Sequence, residues 1–124
     1  MDAVELGLAE ATNDDPQRRL AVYGTLAPGR PNHHQLHGLV GRWIDGHVRG
    51  RLLDAGWGAS LGYPGLILDA DAPAVAVQLF ESGDLPAHWR RLDDFEGPGY
   101  RRLATTISTA AGELTACIYV LATD

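Results

Sequence analysis

Glu96 is the residue whose type and position point most directly to chemistry. It sits in DLPAHWRRLDDFEGPGY, residues 84–100. At about 100° per residue, a helix here lines up Leu85, Trp89 and Leu92 as one apolar stripe. Glu96 follows Leu85 by three full helical turns, returns to within about 20° of it, and so falls on the same stripe. Gly97 and Pro98 stop the helix, which puts Glu96 in the last turn. There the negative end of the helix dipole disfavours a carboxylate by about 0.3–1 kcal/mol. Asp93 and Asp94 stand close by, with Asp94 pointing away from the stripe. Burial, dipole and neighbouring acids all act against the ionised form, which predicts a raised pKa. A carboxyl poised nearer neutrality can take up a proton and return it, as a general base and acid must. A helix ending one residue sooner would instead release Glu96 to solvent. The burial of this one side chain decides between the two.

The second informative place is Tyr23-Gly24-Thr25-Leu26, directly after a short strand at 19–23. A chain leaving a strand through glycine can aim successive backbone N–H groups at one point, which makes an anion-binding concavity. Such turns are common, and alone this one reads as structure. Other motifs carry less. Gly58-Ala59-Ser60-Leu61-Gly62 spells the G-x-S-x-G elbow of serine hydrolases, but Pro64 and Gly65 forbid the helix that must follow it. His33 and His37 have the i, i+4 spacing of a metal pair, yet no acidic partner lies between them. A surface helix or a polar pocket wall is the simpler use of these histidines. Arg101 and Arg102 open a strand, where one faces solvent and the other is placed to pair Asp93, Asp94 or a substrate carboxylate.

Composition narrows the chemistry. The chain has 124 residues, 45% apolar and 21% charged, which fits one globular domain. Residues 1–15 hold five acids and no base, so the net charge of −6 is mostly a property of the tail. The remainder carries eleven acids against ten arginines, which argues against a nucleic-acid-binding face. The absence of lysine removes Schiff-base chemistry and the P-loop together. Cys117 is the sole cysteine, so there is no intrachain disulfide and no multi-cysteine zinc site, and its apolar setting, ACIYVL, reads as an inert buried thiol. The N-terminus has neither a basic n-region nor an apolar h-region, and no apolar run approaches a membrane span, so a cytoplasmic protein without membrane contact is expected.

These residues must be positioned by short elements. Residues 1–18 read as an acidic mobile tail with a short helix at 3–10, and residues 19–124 as the domain. Two helical turns are expected over 31–37, and strands over 40–44, 47–54, 66–68 and 74–81. Residues 56–65 form a Gly-rich loop, and 100–109 with 114–121 form a hairpin. Several short strands with only two short helices predict an α+β fold, a small mixed β-barrel with the Glu96 helix packed over it.

VYGTLAPGRPNHHQL, GYPGLILD, VQLFES and above all LDDFEGPGYRR resemble the gamma-glutamylcyclotransferase-like superfamily, closest to its small gamma-glutamylamine cyclotransferase-type members. The resemblance covers residues 20–121. It implies a small mixed β-barrel, a catalytic glutamate at Glu96, a substrate-cradling turn at Tyr23, Gly24, Thr25 and Leu26, and a pocket tyrosine at Tyr100. Thr25 stands where several members have serine. The implied reaction converts a small-molecule gamma-glutamyl amine or peptide to 5-oxoproline and a free amine, with no cofactor and no metal. The loop at 56–65, with Trp57 and Tyr63, is expected to shape the choice of leaving group. A cradle plus an acid would also serve a non-catalytic binding module for a small carboxylate metabolite.

Overall fold

The structure is a computed structural model that describes residues 15–24, 26–30, 32–53 and 65–122. Thr25, Tyr63, residues 56–64 of the loop expected at 56–65, with Trp57 and Ser60, and the helix expected at 3–10 lie outside the described residues, while Gly65 opens a strand.

Among the described residues there are six strands: β1 Arg19–Val22, β2 Arg42–Leu53, β3 Gly65–Leu68, β4 Ala74–Glu81, β5 Tyr100–Thr109 and β6 Gly112–Leu121. They are hydrogen-bonded in the order β3-β2-β4-β1-β6-β5, and β2 pairs again with β5. That last pairing closes five strands into a barrel and leaves β3 as an extra strand on β2. All pairs are antiparallel except β1 with β6, so the barrel is mixed as expected.

Alternation sorts the side chains between two cores. Ala21, Val48, Val77, Leu79, Ile107, Ala116, Ile118 and Val120 fill the barrel interior. Leu20, Val22, Phe80, Cys117 and Tyr119 point outward and are covered by Leu85, Trp89 and Leu92 on one side and Leu26, Ala27 and Leu36 on another. The Glu96 helix therefore packs on the outside of the barrel, beside β5 and over the outward-facing side chains of β1 and β6.

Three expectations need correction. The strands expected at 40–44 and 47–54 are one strand, β2. Gly46 does not break it, because it faces inward where a Cβ would meet Ile107 Cγ2 at 2.7 Å. Glycine here permits a close approach between strands rather than a turn. The 31–37 segment is a single 3-10 turn, His33–Leu36. The helix over 84–96 is a 3-10 turn, Leu85–Ala87, followed by α1, Trp89–Glu96. His88 separates them, with φ −116° and ψ −1°. The apolar stripe survives the break: Leu85, Trp89, Leu92 and Glu96 are all buried.

A further 3-10 turn, Pro16–Arg18, precedes β1, within the stretch read as tail. It is tied to the helix layer by Trp89 Nε1, which donates to the Gln17 carbonyl at 2.9 Å. Among the described residues no helix is long and apolar enough to cross a membrane.

Candidate active site

Glu96 is the last residue of α1 and only 7% exposed. Helix termination fixes it there. Gly97 N–H reaches back to the Asp93 carbonyl at 3.0 Å, and Gly97 takes φ +80°, a value that favours glycine. Burial pushes the Glu96 carboxyl up to about 7. The neighbouring acids are not the cause. Asp94 is exposed, and the charge of Asp93 is answered by Arg102, whose Nε and Nη2 donate to its two carboxylate oxygens at 2.8 and 3.2 Å. Those bonds, with a third from the Tyr119 hydroxyl, hold Asp93 below the usual carboxylate range. Two acids one turn apart thus sit in opposite states, Asp93 charged and Glu96 poised near neutrality.

Tyr23 follows β1 and is half-buried. Its hydroxyl donates to the Tyr119 carbonyl at 2.7 Å and accepts from Leu66 N–H at 3.1 Å. It thereby bolts β3 to β6. Burial pushes its phenol up against the opposing Leu66 hydrogen bond, and the charges of Glu96 and Tyr100 add to the rise. The charge of Glu96 is felt at Tyr119 as well. Glu96 is therefore within electrostatic reach of Tyr23 and Tyr119, and Tyr100 of Tyr23.

The turn after Tyr23 is closed by Ala27 N–H donating to the Gly24 carbonyl at 3.1 Å. Leu26 is buried in the outer core, which Tyr100 also packs against. At Gly24 a Cβ would meet no heavy atom of the described residues within 4 Å, so no described contact requires glycine there. His33 Nδ1 lies 3.0 Å from the Leu26 carbonyl and donates to it, while its ring stands 5.6 Å from that of Trp43. This histidine braces the turn. Among the described residues no three His, Cys, Asp or Glu side chains gather where they could hold a metal ion.

Of the residues singled out in the sequence, Glu96 and Tyr100 lie within electrostatic reach of Tyr23, and Leu26 and Tyr100 meet the same outer core. Thr25 and Tyr63 are outside its description. The sequence reading missed Tyr119, which inside ACIYVL looks like one more core residue. Period-2 alternation alone would have put it beside Cys117 on the face turned toward the helix.

Comparison with known proteins agrees with this fold. The profile of the family described as "Gamma-glutamyl cyclotransferase, AIG2-like" matches residues 20–124. No curated protein matches the chain. An AIG2-like protein of Mus musculus superimposes with a TM-score of 0.68 at 26% identity, covering 86% of this chain and 78% of its own. YkqA of Bacillus subtilis gives a TM-score of 0.66 at 27% identity and covers 84% of this chain, which spans only 35% of YkqA. An uncharacterized protein of Pyrococcus horikoshii gives 0.54 at 25% identity, covering 86% of this chain and 79% of its own. With the barrel, the buried helix-end glutamate and the turn after the first strand all in place, the profile match decides the family: this chain belongs to the AIG2-like gamma-glutamyl cyclotransferases.

Proposed function

We propose that the protein converts a small gamma-glutamyl amine or peptide to 5-oxoproline and a free amine, with Glu96 as the proton shuttle. Family membership supports cyclotransferase chemistry in general. The single observation that carries the finer reading is a buried Glu96 carboxyl pushed up to about 7 within electrostatic reach of Tyr23.

The substrate's α-nitrogen attacks its own γ-carbonyl carbon. As the new N–C bond forms, the nitrogen gives up a proton and the carbonyl oxygen becomes an oxyanion. As the intermediate collapses, the bond to the leaving nitrogen breaks and that nitrogen takes up a proton. One group can serve both transfers if its affinity for the proton suits both nitrogens. An α-amine has a reference pKa of about 7.7–8.0 and an ordinary glutamate about 4.3, a mismatch of about 3.5 pH units. For Glu96 the mismatch falls to about one unit, or about 1.4 kcal/mol.

The oxyanion, or the substrate's α-carboxylate, needs aligned donors, and the backbone of Gly24–Leu26 is suited to supply them. Ring closure is intramolecular, so holding the substrate folded contributes much of the remaining acceleration. The protons travel through Glu96 alone in this scheme, and it calls on no metal or cofactor. A small, freely diffusing gamma-glutamyl compound is the partner it implies, in keeping with a cytoplasmic setting.

The test is 5-oxoproline release from a panel of gamma-glutamyl dipeptides and gamma-glutamyl amines. Wild type should turn over at least one of them, and Glu96→Gln should lose about 10²–10⁴ in kcat. Equal yields from the two proteins would remove Glu96 from the reaction. Binding of 5-oxoproline by wild type with no turnover of any panel member would mark a binding module instead.

A further inference from the structure

One residue of β6 touches both halves of the candidate site. The Tyr119 hydroxyl donates to Asp93 Oδ1 at 2.6 Å, and the Tyr119 carbonyl accepts the Tyr23 hydroxyl at 2.7 Å. Asp93 lies nearly one helical turn before Glu96, and its carbonyl receives the Gly97 N–H that ends the helix. Tyr23 is the residue from which the Gly24–Leu26 turn departs. The acid's carrier and the turn's root are thus both referred to the same point on the barrel wall.

The Tyr119 hydroxyl does more than fill space. Phenylalanine would occupy the same outward-facing position beside Cys117 without it. A short O–H···O⁻ bond to a charged carboxylate is among the stronger hydrogen bonds available to a side chain. Arg102 grips the same carboxylate, but its guanidinium also lies 4.4 Å from the Trp89 ring centre and bonds Gln17 Oε1 at 3.1 Å. Arg102 therefore ties α1 to the first 3-10 turn and to β5. Tyr119 ties α1 to Tyr23.

We propose that Tyr119 is a positioning residue of the site: its hydroxyl sets the end of the Glu96 helix and its carbonyl sets Tyr23, so that the proton acceptor and Tyr23 keep one fixed separation. This rests on the cyclotransferase reading, because the separation matters only if a substrate spans the two.

The test compares wild type with Tyr119→Phe in two measurements. The first is kcat and KM for 5-oxoproline release from the best substrate of the panel. Misplacement by about 1 Å can cost about 10²-fold, so kcat should fall about 10–100-fold while KM stays within about 3-fold. The second is the titration midpoint of the Glu96 carboxyl, followed by ¹³C NMR and assigned with Glu96→Gln. Once the helix end loosens and admits water, the midpoint should fall from about 7 toward the ordinary carboxylate range. The phenols of Tyr23 and Tyr119 face Glu96, and Asp93 with Arg102 stand one turn away as a closed ion pair. Both phenols are held neutral far above the assay range, so a moved midpoint reports hydration rather than a lost neighbouring charge. A purely structural role would lower the unfolding midpoint and leave both readouts in place.

Unchanged kcat with an unchanged Glu96 midpoint overturns the proposal. Should Tyr119→Phe not fold, Asp93→Ala and Asp93→Asn decide instead. Asparagine keeps the oxygen that Tyr119 needs but loses the charge that Arg102 answers. Recovery of kcat and midpoint by Asn relative to Ala, kept when Arg102→Gln is added, supports Tyr119, because Tyr119 and Arg102 donate to the same Oδ1. Equal damage, or loss on adding Arg102→Gln, assigns the helix end to Arg102 and overturns it. If wild type releases no 5-oxoproline, the cyclotransferase reading fails by itself, and the Glu96 midpoint still decides whether Tyr119 holds the helix end.

Discussion

Glu96 raises its own pKa by being buried, and that has a consequence for stability with a definite sign. A carboxyl whose folded pKa lies above its unfolded value binds more protons folded than unfolded across the interval between the two. Stability should therefore fall as pH rises from about 4.5 to about 7, and the cost is fully present above that. A shift of that size corresponds to at most about 3 kcal/mol. Glu96→Gln, which cannot ionise, should be more stable than wild type at pH 8 by up to that amount, with the gain largely gone near pH 4.5. Urea unfolding at the two pH values measures it. A gain equal at both would mean that Glu96 is hydrated in the folded protein. The chemistry and the cost come from one cause, the removal of a carboxylate from water.

α1 owes its end to Gly97, whose φ of +80° and ψ of −178° lie in a region essentially confined to glycine. Gly97→Ala should cost about 1–3 kcal/mol in urea unfolding and should also reduce turnover, because Glu96 is its immediate neighbour. A variant as stable as wild type would show that the helix can end another way. Much of this element was legible in the sequence. The stripe of Leu85, Trp89, Leu92 and Glu96 and the Gly97-Pro98 stop were enough to place a buried acid at a helix end. The break at His88 was not legible, because no residue type there forbids a helix, and only the backbone at that position departs from one. The pairing of Arg102 rather than Arg101 with Asp93 was open for a related reason. Adjacent strand residues face opposite ways, and choosing between them requires knowing which face of β5 looks toward α1.

At the scale of the molecule, the barrel is closed by a seam of only two residue pairs between β2 and β5, Gly46 with Thr109 and His47 with Ser108. Gly46→Ala would put a Cβ 2.7 Å from Ile107 Cγ2 and 3.0 Å from the Ser108 carbonyl oxygen. Overpacking of this kind typically costs about 1–3 kcal/mol, which the unfolding midpoint would register. No change would imply that the seam has slack. The sequence reading split β2 at 45–46 because glycine inside an alternating run serves both breaks and close approaches, and only the partner strands distinguish them. The mixed barrel itself was readable from strand count and punctuation. Its long-range ties were not: Tyr23 reaches the Tyr119 carbonyl across 96 positions of sequence, and nothing local to either residue announces the other. Through these ties the end of α1 that carries Glu96, and Tyr23 at the start of the domain, are held to the same strand, β6. The pH dependence of kcat/KM for 5-oxoproline release tests that arrangement most directly. The account predicts an acid limb with a midpoint near 7, where Glu96 gains its proton. A rate level from pH 5 to pH 8, or a limb that Glu96→Gln retains at full amplitude, would contradict it.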